Sequence, residues 1–245
     1  MGLESKRIKM EGKLDSLSAF FPAYNEEKNV QKLTRNLLKV LPEVAEEYEI
    51  VIVNDGSTDR TKEIIHRLAK ENRCIRVVHH KENLGYGAAI RSGLINSRYS
   101  YIFFTDGDNQ FNVFEIKKLI RYINGYDIIA GYRVNRKDNS VRKFNAWIWN
   151  ILVRLLFGLK MRDVDCAFKL FRREVVNKIN TQAEGAMINT EILAQARKYG
   201  FTIKQVGIHH YPRQWGKQSG ANFEVIVKAF WELIKVYKRL KGERR

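Results

Sequence analysis

Asp106-Gly107-Asp108 sets two carboxylates at i and i+2, with the amide of Gln110 two residues further on. Oxygen ligands at that spacing suit a hard cation. Mg²⁺ or Mn²⁺ held by one or two carboxylates keeps waters and binds substrate phosphates. Such an ion neutralises a diphosphate leaving group. Alone, the segment reads more readily as a solvated acidic turn. Two further polar clusters give it company: Pro22-Ala23-Tyr24-Asn25-Glu26 and Asn54-Asp55-Gly56-Ser57-Thr58-Asp59, each straight after a short apolar run. The Asp55 carboxylate suits the N–H edge of a uracil or guanine, or else a turn. Asp59 reads as a first-turn helix acid.

Other candidates carry less information. Asn83-Leu84-Gly85-Tyr86-Gly87 lacks the Gly-Lys-Ser/Thr of a P-loop and the Rossmann glycine spacing. It reads as a tight loop that lets backbone approach a donor molecule. His79-His80 and His209-His210 lie in strand-like segments, where neighbours face opposite ways, and neither pair has metal-ligand spacing to other His or Cys. They read as ordinary strand-end histidines. Asp163, Asp165 and Glu191 are candidate general bases, with Glu191 read either as such or as part of a solvated helix face.

The chain around these clusters alternates. Strands are expected at Leu17–Pro22, Glu49–Asn54, Cys74–His79 and Tyr101–Thr105, from β-branched and aromatic runs. Helices are expected at Glu26–Leu41, from Ser57 or Thr58 as cap through Ala69, and at Gly85–Ser97. That order implies right-handed βαβ units and a mostly parallel sheet flanked by helices, an α/β fold. In open sheets of this kind ligands sit at the carboxyl ends of the strands, where all three clusters fall. The second half adds strands at Asp127–Gly131, Ala167–Phe171 and Thr202–His210, and helices at Val141–Leu159, Asn189–Tyr199 and Ala221–Leu240. The division expected is a basic tail over 1–16, one catalytic domain over 17–220, and an amphipathic basic helix over 221–245.

Across its 245 residues the chain carries a formal net charge of +17, which points to an anionic partner. Nucleic acid is disfavoured, because the basic residues are scattered and no RRM, KH or helix-turn-helix signature is present. Two cysteines far apart make neither a disulfide framework nor a zinc cluster, and suit a reducing compartment. No signal peptide is expected from the charged N-terminus, and no run of about 18 uncharged apolar residues predicts a membrane span.

Taken together and in order, the clusters resemble glycosyltransferase family 2, which has the GT-A fold. They are similar in particular to the dolichyl- and polyprenyl-phosphate mannosyl- and glucosyltransferases. The resemblance is carried by Phe21-Pro22-Ala23-Tyr24-Asn25-Glu26-Glu27, by Val51 to Asp59, by Asn83 to Gly87, and by Asp106 to Gln110. Further on it rests on Gly131-Tyr132-Arg133, on Asp163 to Arg172, and on Tyr211 to Ser219. It implies that Pro22, Tyr24, Glu26 and Asp55 hold the nucleoside, and that Asp106 faces nucleotide or sugar. It implies that Asp108 and Gln110, beside Asp106, hold Mg²⁺ or Mn²⁺. Arg133, Arg213 and Lys217 are then expected along the phosphates, and Arg142 at the acceptor phosphate. Asp106, Asp108, Asp165 and Arg133 form the expected catalytic set. Cys166-Ala167-Phe168-Lys169 departs from the Ser-Gly-Phe-Arg often found there, and the transmembrane helices that many members carry after the catalytic domain are not expected in this sequence.

The implied reaction moves a mannose or glucose, with inversion, from a UDP- or GDP-hexose to a polyprenyl phosphate. A family member acting on a hydroxyl of a polysaccharide or glycolipid is the alternative. The helix over 141–159 is greasy around most of its circumference and has cationic ends. The last helix sets Phe230, Leu233, Ile234 and Tyr237 opposite Lys235, Lys238 and Arg239. Both fit in-plane elements of an anionic membrane surface, with the enzyme peripheral to the cytoplasmic face; a buried core helix is the competing reading for the first.

Overall fold

The structure is a computed structural model that describes residues 13–134, 140–215 and 223–242; over 140–147 and 223–229 it describes the helical backbone alone. Most of the expected basic tail lies outside the described residues, as do Lys217 and the side chain of Arg142.

Seven strands form one sheet: β1 Leu14–Ala23, β2 Ala45–Asp55, β3 Ile75–His80, β4 Tyr101–Thr105, β5 Ile128–Val134, β6 Phe168–Arg172 and β7 Ile203–His209. The helices are α1 Val30–Val44, α2 Thr61–Glu71, α3 Tyr86–Asn96, α4 Ile116–Ile120, α5 Ser140–Phe157, α6 Arg173–Lys178, α7 Met187–Lys198 and α8 Phe223–Gly242. The strand order is β3-β2-β1-β4-β6-β5-β7. The first four strands are mutually parallel; β6 runs antiparallel to both β4 and β5, and β7 pairs parallel with β5.

The parallel half follows from composition. Ala19-Phe20-Phe21, Ile50 to Val53 and Ile102-Phe103-Phe104 are buried without alternation, as strands covered on both faces must be. Phe20 stacks on Phe104 at 5.1 Å, and Phe103 meets Phe168 edge-on at 4.8 Å. Each ring so buried contributes about 1.5–3 kcal/mol. At the amino end of this half, the buried Glu49 accepts from Ser18 Oγ at 2.7 Å, Arg98 N at 2.7 Å and Arg76 Nη1 at 3.0 Å. It ties β1, β2, β3 and the end of α3 into one block.

Several boundaries differ from expectation, each for a local reason. β1 begins at Leu14, so the domain boundary placed after residue 16 falls inside it. α1 begins at Val30, not Glu26: residues 26–29 form a turn in which Asn29 N and Val30 N both donate to Glu26 O, at 2.9 and 3.0 Å. α2 begins at Thr61, so neither Ser57 nor Thr58 caps it; Ser57 Oγ accepts from Asn25 N, and Thr58 N donates to Asn25 Oδ1. The short α4 and α6 went unforeseen, because one or two turns carry too little periodicity to register.

The apolar α5 and the C-terminal α8 pack on each other and on α7. Trp149 meets Phe230 edge-on at 5.7 Å and Phe157 meets Tyr237 at 6.0 Å. Val153, Leu233, Val236 and Leu240 are buried, so each helix docks one face on the core. Each also keeps an apolar face outward: Leu155 is 74% exposed and Trp231 63%. No helix among the described residues is long and apolar enough to cross a membrane.

Candidate active site

Because β2, β1 and β4 are parallel neighbours, their carboxyl ends put the three clusters side by side. The loops are then laced together. Asn25, at φ 54°, turns the chain after β1 and accepts from Thr58 N at 2.8 Å. Asp59 Oδ1 accepts from Thr61 N and its Oδ2 from Glu27 N, so it is a helix-start acid that also joins two loops. Asn109, at φ 58°, turns the chain after Asp108 and donates to Asn29 O at 2.9 Å. Asn is among the few residues with a side chain that tolerate that region. Gly56 is obligatory: its φ is +68°, and a Cβ there would lie 2.3 Å from the Glu82 carbonyl carbon.

Asp55 is buried and its carboxylate is already engaged. His80 Nδ1 lies 2.6 Å from Oδ1, Leu84 N donates to Oδ1 at 2.9 Å and Gly85 N to Oδ2 at 3.0 Å. It therefore anchors the glycine-containing loop directly beneath the rim. The N–H groups of Leu84, Gly85 and Gly87 in that loop are taken up within the protein, and the loop packs on the chain's own segment 183–184. Gly87 N donates to Glu184 O at 2.6 Å, and a Cβ on Gly87 would lie 2.3 Å from Ala183 O. Tyr86, next in sequence to Gly85, donates from its hydroxyl to Asp106 Oδ1 at 2.8 Å. Asp55 and Asp106 are thus joined through one short stretch of chain.

Asp106 and Asp108 are largely enclosed. Burial, and then the neighbouring Asp108 charge, push the Asp106 carboxyl up to about 7. Burial also raises Asp108, although Gln110 N donates to its Oδ1 at 3.0 Å and Arg213 offsets the rise. Two carboxyls so destabilised as anions are suited to a cation. Among the described residues no group of three or more His, Cys, Asp or Glu is placed to hold a metal ion, so such a cation would draw its remaining ligands from Gln110, water and substrate phosphate. That donor set fits Mg²⁺ or Mn²⁺. Gln110 Nε2 donates to Tyr211 O at 3.1 Å, which fixes its amide at the rim.

Glu26 and Arg213 complete this side. Arg213 pairs with Glu26 Oε1 and lies 3.8 Å from Asp108 Oδ2. Burial raises the Glu26 carboxyl, against the opposing effect of Asn29 and Arg213. Pro22 lies under Gly107, whose Cβ would meet Pro22 O at 2.4 Å. Tyr24 is exposed at the rim.

Arg133 stands on the far side. Its Nε and Nη2 donate to Asp163 Oδ2 and Oδ1 at 2.6 and 2.7 Å. Burial works against its charge, but Asp163 more than compensates, and Arg133 stays firmly cationic. Its field reaches Asp106 and Asp108, while Asp165 acts on Arg133 and Lys169. Glu191 is not on a solvated face: it is fully buried and accepts from Gln182 N, Ala183 N and Gln195 Nε2, with Arg239 of α8 paired to it. The histidines are engaged in ordinary contacts, His80 with Asp55, His79 with His66 at 2.9 Å, and His209 with Glu115 at 2.8 Å. Lys169, Asn189 and Tyr86, which sequence reasoning passed over, lie next to the acidic pair; the Lys in place of Arg after Phe168 was the signal available.

This architecture recurs in solved structures. A glucosyl-3-phosphoglycerate synthase from Mycobacterium tuberculosis in complex with Mn²⁺, uridine diphosphate and phosphoglyceric acid superposes with a TM-score of 0.71 at 18% identity, covering 91% of this chain and 78% of that one. The same synthase with Mg²⁺ and uridine diphosphate gives 0.70. The fold is therefore that of the GT-A glycosyltransferases. In sequence, residues 18–179 match the model of glycosyl transferase family 2, and the chain belongs to that family. A dolichyl-phosphate beta-glucosyltransferase of Trichomonas vaginalis is 34% identical over 238 residues, covering 90% of this chain and 72% of that protein. An undecaprenyl-phosphate 4-deoxy-4-formamido-L-arabinose transferase of Pseudomonas paraeruginosa is 33% identical over 165 residues; these are 66% of this chain and 49% of that protein's length.

Proposed function

We propose that the protein transfers a hexose from a nucleotide-diphosphate sugar to a polyprenyl phosphate at an anionic membrane surface. The observation that carries this reading is the enclosed Asp106–Asp108 pair at the carboxyl end of β4, between Arg213 and Arg133. Mg²⁺ or Mn²⁺ held by Asp108, Asp106 and Gln110 would neutralise the donor diphosphate. Pro22, Tyr24, Glu26 and Asp55 frame the nucleoside side, with Tyr24 exposed for stacking. Arg213 and Arg133 counter phosphate charge, and Lys217 and Arg142 are the further cations assigned to donor and acceptor phosphates.

The acceptor follows from what the carboxylates are doing. A sugar hydroxyl needs a base; a phosphate monoester, with a second pKa near 6, is largely dianionic at pH 7 and attacks without one. Of the three candidate bases, Glu191 is buried away under Arg239, and both oxygens of Asp163 are held by Arg133. Asp165 is the remaining candidate and, on this reading, acts electrostatically on Arg133 and Lys169. The new bond joins the anomeric carbon to a phosphate oxygen. The bond broken is that to the diphosphate, which leaves as nucleoside diphosphate with inversion.

The membrane part of the reading rests on the outward faces of α5 and α8. Leu155, Ile151, Trp231 and Ile234 are exposed there beside Arg154, Lys235 and Lys238. Aromatic and aliphatic side chains ringed by cations suit the headgroup boundary.

A donor screen with full-length protein, Mn²⁺ and a polyprenyl phosphate tests the function. Labelled sugar is expected in the organic phase; label confined to water-soluble material overturns the lipid acceptor, and no turnover of any nucleotide sugar overturns the enzyme reading. Transfer to a glycan hydroxyl in the same screen would favour the second reading.

A further inference from the structure

Lys169 projects from β6, the antiparallel strand wedged between β4 and β5, and pairs in register with Phe104, two residues before Asp106. Its side chain is fully buried, an unusual place for an ammonium. Nζ donates to Cys166 O and to Asn189 Oδ1, the latter at 2.8 Å. Asn189 lies in the first turn of α7 and is itself buried. With its oxygen facing the ammonium, its amide nitrogen is the group left to serve as donor, and Asn189 acts on the Tyr86 hydroxyl as such a donor would, lowering its pKa against the opposite effects of burial and Asp106. That hydroxyl donates to Asp106 Oδ1 at 2.8 Å. Each link has one chemically allowed direction, because Lys is a donor only and a carboxylate an acceptor only. The ammonium therefore fixes the Asn189 amide, the amide fixes the Tyr86 hydroxyl rotor, and the hydroxyl aims at one oxygen of Asp106.

We propose that Lys169, Asn189 and Tyr86 form a directed hydrogen-bond chain that positions Asp106 for the transfer reaction, with the buried cation as its anchor. This rests on the reading of Asp106–Asp108 as the donor-diphosphate and metal site. The three are positioning residues and touch neither donor nor acceptor. They draw on β6, α7 and the head of α3, three elements distant in sequence, so the chain reports correct assembly of the sheet to the acidic pair. An ion pair placed there for stability would not need the two intervening polar groups. A buried Lys capped by carbonyls alone would satisfy its donors without reaching Asp106.

The test is a double-mutant cycle on the full chain with Tyr86→Phe, Lys169→Met and the pair together. Each single change is expected to lower kcat about 10- to 100-fold, as small misplacements of a catalytic group do. The donor KM is expected to stay within about threefold, because the lost interaction matters in the transition state. The double variant is expected to be no slower than the slower single one, since both changes cut the same chain. Lys169→Arg is expected to restore most of the turnover lost in Lys169→Met. Losses that multiply in the double variant, or wild-type kcat in Tyr86→Phe, overturn the proposal. If Lys169→Met does not fold, Asn189→Ala replaces it in the cycle with the same expectations. Mn²⁺-dependent binding of uridine diphosphate or guanosine diphosphate by calorimetry is measured in parallel. Should the wild type bind nucleotide but fail to use polyprenyl phosphate, the acceptor reading falls. The cycle is then scored on donor turnover with a hydroxyl acceptor or water in place of polyprenyl phosphate, where non-additive losses support the chain and additive ones overturn it.

Discussion

In the amino-terminal half of β2, Glu49 is buried and receives Ser18 Oγ, Arg98 N, Arg76 Nη1 and Arg98 Nε. At the carboxyl end of β4, Asp106 is also enclosed, yet it receives Tyr86 Oη and faces a second carboxylate. Burial raises both acids; at Glu49 the hydrogen bonds and arginines reverse the effect and bring the carboxyl below its ordinary range, whereas Asp106 is pushed up to about 7. One sheet therefore buries acid in two ways. At one end the protein supplies the counter-charge and gains rigidity. At the other it withholds part of it, which leaves the site dependent on what binds.

Removing an acid from each end separates these roles most sharply. Asp108→Ala is expected to lower Mn²⁺-dependent turnover about 10³-fold or more, as befits several kcal/mol of charge stabilisation, with the circular dichroism spectrum unchanged. Full turnover in that variant would strip the rim of its assigned role. Metal addition is the next largest contrast. Mn²⁺ with nucleoside diphosphate at about 100 times Kd should stabilise the wild type by about 2.7 kcal/mol in denaturant melts, and should leave Asp108→Ala nearly unmoved.

Glu49→Gln should do the reverse. Stability should fall by about 1–3 kcal/mol as the arginines and Ser18 lose an ionised partner, while kcat of the folded fraction stays at the wild-type value. The pH dependence has a definite sign. Glu49 has a lowered folded-state pKa, so its contribution is complete above the ordinary glutamate value of about 4.3 and is lost as pH falls through the folded value. Wild type and Glu49→Gln should therefore converge in stability on acidification, and a gap that stays constant would refute the pairing. Smallest of all, His66→Ala, at the exposed His66–His79 stack, should change turnover by no more than about twofold, because it lies outside both acidic centres. A larger loss would extend the site along β3.

Much of the site was legible along the chain. Asp106, Asp108 and Gln110 follow a strand of bare apolar residues, and Pro22 to Glu26 and Asn54 to Asp59 follow two more. Strand–helix alternation is a local pattern, and parallel neighbours linked by right-handed crossovers bring successive strand ends to one edge. Even the Asn25 and Asn109 turns follow from side chains that tolerate positive φ. The protein partners of Asp55 and Glu191 were not legible in this way. Nothing in a carboxylate's place after a strand announces that, like Asp55, it also receives the backbone N–H groups of residues 84 and 85. Glu191 has the spacing of an exposed helical acid; Arg239, 48 positions later in the sequence, makes it a buried one.

The sequence by itself determined the parallel half, the rim clusters, and the kind of ion and phosphate chemistry they suit, because each of these depends on residues close together in the chain. Tertiary structure alone decided that β6 runs antiparallel between β4 and β5, and so delivers Lys169 beside Phe104. It also decided that Asn189 meets that lysine and that Tyr86 meets Asp106. Strand pairing across more than 60 residues leaves no periodic trace in either partner. Its energy comes from burial and from hydrogen bonds that exist only after the chain has returned to the sheet.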